Sequence, residues 1–157
     1  MVVDIMLWRR RGSKMLATSE NKKEFSELGV LIEDMKNYLS HVEQGCQELS
    51  TMFHEANKLK PMEMLTQIME GLGYYQKLLK SAAIFLTIDF STILWEKTSI
   101  SSLLDRICQV FTGIFQAVEN EDYSLLTDLI EYDLIPVISI SHGMLEVVQG
   151  LYEERII

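Results

Sequence analysis

From Phe25 to Ala56 the apolar residues fall at Phe25, Leu28, Ile32, Met35, Leu39, Val42, Cys46, Leu49, Phe53 and Ala56, in steps that alternate between three and four without exception. A half-buried strand would show a period of two, and a loop no period at all. This spacing predicts one long amphipathic helix whose seam must be covered by other helices. Gly29 and Gly45 lie off the seam, where each is expected to cost about 1 kcal/mol relative to alanine.

The pattern then repeats. "NKLKP" interrupts it, and Pro61 suits the first turn of a second helix, where its missing N–H does no harm. The second seam is Leu65, Ile68, Leu72, Tyr75, Leu79, Ala82 and Leu86. So short a connection between long helices predicts antiparallel neighbours. "EKTSIS" offers the next start, with Thr98 or Ser99 as N-cap, followed by a seam at Ile100, Leu104, Ile107, Phe111, Ile114 and Val118. The acids of "ENED" suit the N-terminus of a fourth helix. Its seam reads Tyr123, Leu126, Ile130, Asp133, Val137, Ile140, Met144, Val147 and Leu151, with Asp133 the one charged member. The expected fold is all-α, an up-down-up-down four-helix bundle. Its fourth helix is expected to be kinked at Pro136, or broken near Gly143 so that residues 144–155 form a short fifth helix.

At 157 residues, with 48% hydrophobic and 24% charged side chains, the chain is long and apolar enough for one packed domain. The net charge of −9 is unevenly placed. Residues 1–21 hold Arg9, Arg10, Arg11 and Lys14 against Asp4 and Glu20, which leaves −11 on residues 22–157. We therefore expect a flexible basic segment over 1–21 and a single bundle domain over 22–157. A body this acidic repels phosphate backbones, so nucleic acid is not an expected partner. The arginines follow a short apolar run, whereas a secretory signal places charge first. No run reaches the about 18 uninterrupted apolar residues of a membrane span, so stable membrane insertion is not expected and the location reads as cytoplasmic. Trp8 with Arg9–Arg11 offers at most a weak contact with an anionic membrane. Cys46 and Cys108, both on apolar stripes, read as buried reduced thiols.

Two carboxylates stand where hydrophobes are expected. Asp133 is one; continuing the second seam past Leu86 by the same rule lands on Asp89. With turns near residues 97 and 120, residues 133, 107 and 87 share a level, so Asp89 and Asp133 could share a layer of the bundle with Arg106. Two carboxylates in a low-dielectric core cannot both ionise unpaired, and a cation must compensate or one takes up a proton. The plainer alternative is local: Asp89 starts a turn in "TIDFS", and Asp133 bonds backbone groups loosened by Pro136. By the helical wheel Asp128 and Glu131 lie away from the leucines, on a solvated face.

Catalytic signatures are missing. His41, His54 and His142 have no glutamate three residues before them, so the paired Glu-x-x-His of a di-metal bundle is excluded. The chain also lacks a P-loop, GxSxG, GxGxxG and HExxH. We expect no enzyme, cofactor or metal. What remains is surface: Met52, Met62, Met64 and Met69 cluster at the tip of the first hairpin, and methionine adapts to differently shaped partners. They equally suit gap-filling in the core.

The segment "AVENEDYSLLTDLIEYDLIPVI", residues 117–138, resembles a pattern in uncharacterised bacterial all-helical proteins: an acidic turn with Asp-Tyr, a leucine-rich core, then Leu-x-Pro. Asp122, Tyr123, Asp128, Leu129, Glu131, Tyr132 and Pro136 stand at those positions, with Ile130 in place of a leucine. The resemblance implies a bacterial cytoplasmic protein, assigns no activity, and gives Asp128, Glu131 and Tyr132 weight as a surface site. Size, charge and fold class are also similar to those of flagellar export chaperones, a likeness of class alone. The functional expectation is a helical protein-binding or chaperone-like adaptor using its methionine-rich surface. The alternatives are a structural homodimer, or a small-ligand or ion binder working through Asp89, Arg106 and Asp133.

Overall fold

The computed structural model describes residues 22–156. Helix α1 spans Lys22–Met52, α2 spans Leu59–Leu86 and α3 spans Ile100–Glu119. The fourth helix consists of α4 (Tyr123–Leu129) and α5 (Ile135–Ile156), joined by a π turn over Ile130–Leu134. Between α2 and α3, β1 (Leu94–Trp95) and β2 (Thr98–Ser99) pair antiparallel as a minimal hairpin. The fold is all-α, a helical bundle. The basic segment expected over 1–21 lies outside the described residues.

The seams account for most of the core. In α1 every expected position from Leu28 to Phe53 is buried, and Leu31 and Tyr38 widen the stripe. The helix stops at Met52, so Ala56 is exposed in the connection. All seven positions expected in α2 are buried. In α3 the buried stripe is Ile100, Leu103, Ile107, Val110, Ile114 and Ala117, which leaves Leu104, Phe111 and Val118 half-buried on its flank. A three-four repeat admits either neighbour at each step, and packing against the fourth helix selects one.

Local chemistry sets the starts. Asn57 Oδ1 accepts from the backbone N–H of Leu59 (3.0 Å) ahead of α2. Ser99 Oγ caps α3 by accepting from Ser102 N–H (3.1 Å), and Asp122 Oδ1 caps α4 by accepting from Leu125 N–H (3.1 Å). Each satisfies one of the donors that a helix N-terminus leaves unpaired.

The fourth helix departs from expectation in an instructive way. The proline ring at 136 crowds the carbonyl four residues back and offers it no N–H, and the helix relaxes by one wider turn. The N–H of Ile135 bonds the carbonyl of Ile130, a five-residue span. After this turn the seam has moved by one residue: Leu134, Ile138, Ser141, Leu145, Val148 and Tyr152 are buried beside Val137 and Met144. The expected seam residues Asp133, Ile140, Val147 and Leu151 are half-buried. No break occurs near Gly143, and α5 is continuous to Ile156. The indole of Trp95 lies directly on Gly143, so close that a Cβ would overlap it. That glycine admits the hairpin to the bundle. Gly29 serves likewise, since a Cβ there would fall 2.6 Å from the hydroxyl of Tyr152, which stacks on Phe25 (4.8 Å) and donates to its carbonyl (2.9 Å).

By length and composition the stretch Tyr123–Arg155 is apolar enough to cross a membrane. Here Leu126, Ile130, Leu134, Ile138, Leu145 and Val148 from that stretch are core residues of the bundle.

Candidate functional site

The expected layer of Asp89, Arg106 and Asp133 does not assemble. Helix α2 ends at Leu86, where Thr87 turns left-handed (φ 52°), so the chain leaves the helix before Asp89 can face inward. Asp89 is exposed and starts a turn, its Oδ1 accepting from the N–H (2.9 Å) and hydroxyl (2.7 Å) of Ser91. Those bonds hold its carboxyl below the usual range. The π turn gives the seam position to Leu134 and leaves Asp133 half-buried. Arg106 is half-buried on α3, and among the described residues it forms no ion pair with either aspartate. Among the described residues there is also no group of three or more His, Cys, Asp or Glu side chains placed to hold a metal ion.

The methionines divide. Met69 is buried, while Met62 and Met64 are half-buried and packed against the core. Met52 is half-buried at the end of α1. Met69 thus fills the core, and Met52, Met62 and Met64 keep part of their surface at the hairpin tip. The cysteines divide too, since Cys46 is buried and Cys108 is exposed. Burial, then the nearby charge of Glu43, pushes the Cys46 thiol up to about 12.

The apolar surface that remains lies on α3. Beside the buried stripe runs a second one, Leu104, Cys108, Phe111 and Phe115, at helical spacing. Phe115 is 61% exposed and meets Phe111 edge to face at 6.5 Å. Gln76 Nε2 donates weakly to Cys108 Sγ (3.6 Å), which ties this flank of α3 to α2. In the antiparallel pair that contact sets Gly73 level with Phe111 and Met69 level with Phe115. A Cβ at Gly73 would meet nothing within 4 Å. A shallow cavity of about 330 Å³ there is lined by Glu70, Gly73, Tyr74, Gln76, Lys77 and Lys80. All of these lining residues belong to α2, and Phe111 and Phe115 stand on the neighbouring flank of α3.

The motif surface is exposed as the wheel requires, with Tyr132 71% exposed and Asp128 and Glu131 in solvent. Glu131 is more than a wet side chain. Its Oε1 accepts from the hydroxyl of the buried Ser50 at 2.9 Å, which links the π turn to α1.

Sequence reasoning missed a row of polar side chains where α1 meets α5. Ser40 Oγ lies 3.3 Å from His142 Nε2, and His142 Nδ1 lies 4.0 Å from Glu146 Oε1. One turn along, Lys36 Nζ donates to Gln149 Oε1 and Gln149 Nε2 donates to Glu33 Oε2, each at 2.7 Å. The signal was present: Glu33, Lys36 and Ser40 on one helix, and His142, Glu146 and Gln149 on the other, recur at three-four spacing beside the seams.

No curated protein and no solved structure matches this chain. A family model matches residues 30–143, which run from within α1 to within α5. On that match the chain belongs to the family described as Domain of unknown function (DUF8042).

Proposed function

We propose that this protein is a chaperone-like adaptor of a bacterial cytoplasm that holds an amphipathic helix of a partner protein along the apolar flank of α3, beside α2. The observation that carries this reading is the exposure of Phe115 beside Phe111 on a flank that α2 leaves open at Gly73. A large aromatic side chain held in water gains most from an apolar partner, and a helix laid along a groove supplies residues at matching three-four spacing. The charge of −11 on residues 22–157 favours a partner whose polar face is basic, chiefly through the rate of encounter. Asp128, Glu131 and Tyr132 stand on the fourth helix as a second, polar contact.

The test uses two designed helical peptides that share an apolar stripe and differ in a lysine-rich or glutamate-rich polar face, read by fluorescence anisotropy. The lysine-rich peptide is expected to bind, and Phe115→Glu to weaken it at least tenfold. Equal binding by the parent and Phe115→Glu would rule out the α3 flank as the docking surface. Sedimentation of the parent as a dimer that Phe115→Glu dissociates would instead support the homodimer.

A further inference from the structure

The geometry points to Ser40 as a nucleophilic serine with His142 as its general base, able to hydrolyse short acyl esters that carry good leaving groups. This site lies on the α1–α5 flank and does not depend on the apolar flank of α3. Nucleophilic catalysis by serine needs a base within hydrogen-bond reach of the hydroxyl and a third group that orients the base, with distances often looser before substrate arrives. Ser40 Oγ, His142 Nε2 at 3.3 Å, and Glu146 Oε1 at 4.0 Å from His142 Nδ1 fall in that order on the appropriate nitrogens. A carboxylate on the Nδ1 side favours the tautomer that keeps a proton there, which leaves Nε2 free to accept from Ser40. His142 and Glu146 are four residues apart on α5, so the helix itself sets their spacing.

A developing oxyanion also needs a donor. Backbone N–H groups in the middle of α1 and α5 are spent in their helices, so none is available as in a loop-built oxyanion hole. Lys36 stands one turn before Ser40 on the same face of α1. Its ammonium gives one of three N–H bonds to Gln149 Oε1, which Glu33 in turn holds. Its two other N–H groups are the donors available to the oxyanion. Ser40 is exposed, so a short acyl ester reaches it from solvent.

The step balances as acyl transfer to water. Ser40 Oγ bonds to the carbonyl carbon, its proton passes to His142 Nε2, the ester C–O bond breaks, and the leaving alkoxide takes the proton from Nε2. Water then repeats the attack on the acyl-serine, giving the carboxylic acid and restoring the Ser40 hydroxyl.

The test incubates the full chain with a fluorophosphonate probe, which forms an Oγ–P bond and releases fluoride, and locates the label by mass spectrometry; p-nitrophenyl acetate provides the turnover assay. Label is expected on Ser40, and none on the Ser40→Ala variant. His142→Ala should slow labelling at least tenfold, with added imidazole restoring it, an effect that loss of packing would not produce. Glu146→Gln should slow labelling while Glu146→Asp keeps it, and Glu146 is exposed enough that both variants should fold. Label absent from Ser40 in the folded parent overturns the proposal. So does labelling of Ser40 that is indifferent to His142→Ala and Glu146→Gln, or parent-rate hydrolysis by Ser40→Ala.

Discussion

Single residues carry the departures from regularity. Thr87 ends α2 with φ 52°, a left-handed conformation in which a β-branched side chain is strained. Glycine is the usual occupant of such a helix end. Thr87→Gly is therefore expected to raise stability by about 1 kcal/mol, read as a rise of about 2–4 °C in melting temperature. A fall in melting temperature would mean that the threonine side chain supplies more than its strain costs. The two thiols differ as sharply. Cys46 is buried, with its thiol pushed up to about 12, while Cys108 is exposed. Iodoacetamide at pH 8 should label Cys108 alone in the native protein and both cysteines in guanidinium, because the reactive species is the thiolate. Early labelling of Cys46 would show that α1 opens locally.

Among the elements, the fourth helix is the one that the heptad rule misreads. The rule places Asp133 in the seam, and the π turn replaces it with Leu134. Substitution separates the two registers. Leu134→Ala should cost about 2–5 kcal/mol as a buried leucine truncation, whereas Asp133→Ala, at a half-buried site, should stay within about 1 kcal/mol. Denaturant melts of the two variants measure both, and the reverse order would restore the straight helix. Pro136 announced a distortion in the sequence. Its form was not announced, because a helix can answer a proline by kinking, breaking or widening, and the neighbours decide which. Here Leu134, Ile138, Leu145 and Val148 are buried only in the widened register.

At the scale of the whole molecule, a few directional bonds fix how the helices sit around a non-directional core. The hydroxyl of Tyr75, buried in α2, donates to the carbonyl of Ser141 on α5 at 2.8 Å. Burial drives its ionisation far above the ordinary range, outweighing the bonding at Ser141. Tyr75→Phe keeps the ring and removes the second partner of a carbonyl that lies inside helix α5, so a loss of about 0.5–1.5 kcal/mol is expected, measured by urea unfolding. A neutral result would mean that water or a shift of α5 satisfies Ser141. The apolar flank of α3 is a property of this same scale. It exists because α3 turns Ile107 and Val110 inward and leaves Phe111 and Phe115 on its edge.

The sequence by itself determined the class of fold, the number and order of the long helices, a start of α3 at Thr98 or Ser99 and of the fourth helix after an acidic turn, and most of the core in α1 and α2. These follow from periodicity and from local hydrogen bonding, which a chain carries in adjacent residues. Tertiary structure alone decided which of two neighbouring stripes α3 buries, that Asp133 yields its place to Leu134, and that Asp89 stays in solvent. It also decided that Gly29 and Gly143 lie beneath aromatic rings, and that Ser40 meets His142 across 102 positions of chain. The physical reason is the same in each case: a three-four repeat fixes a helix's apolar side only to within one residue, and contacts between distant helices make the remaining choice.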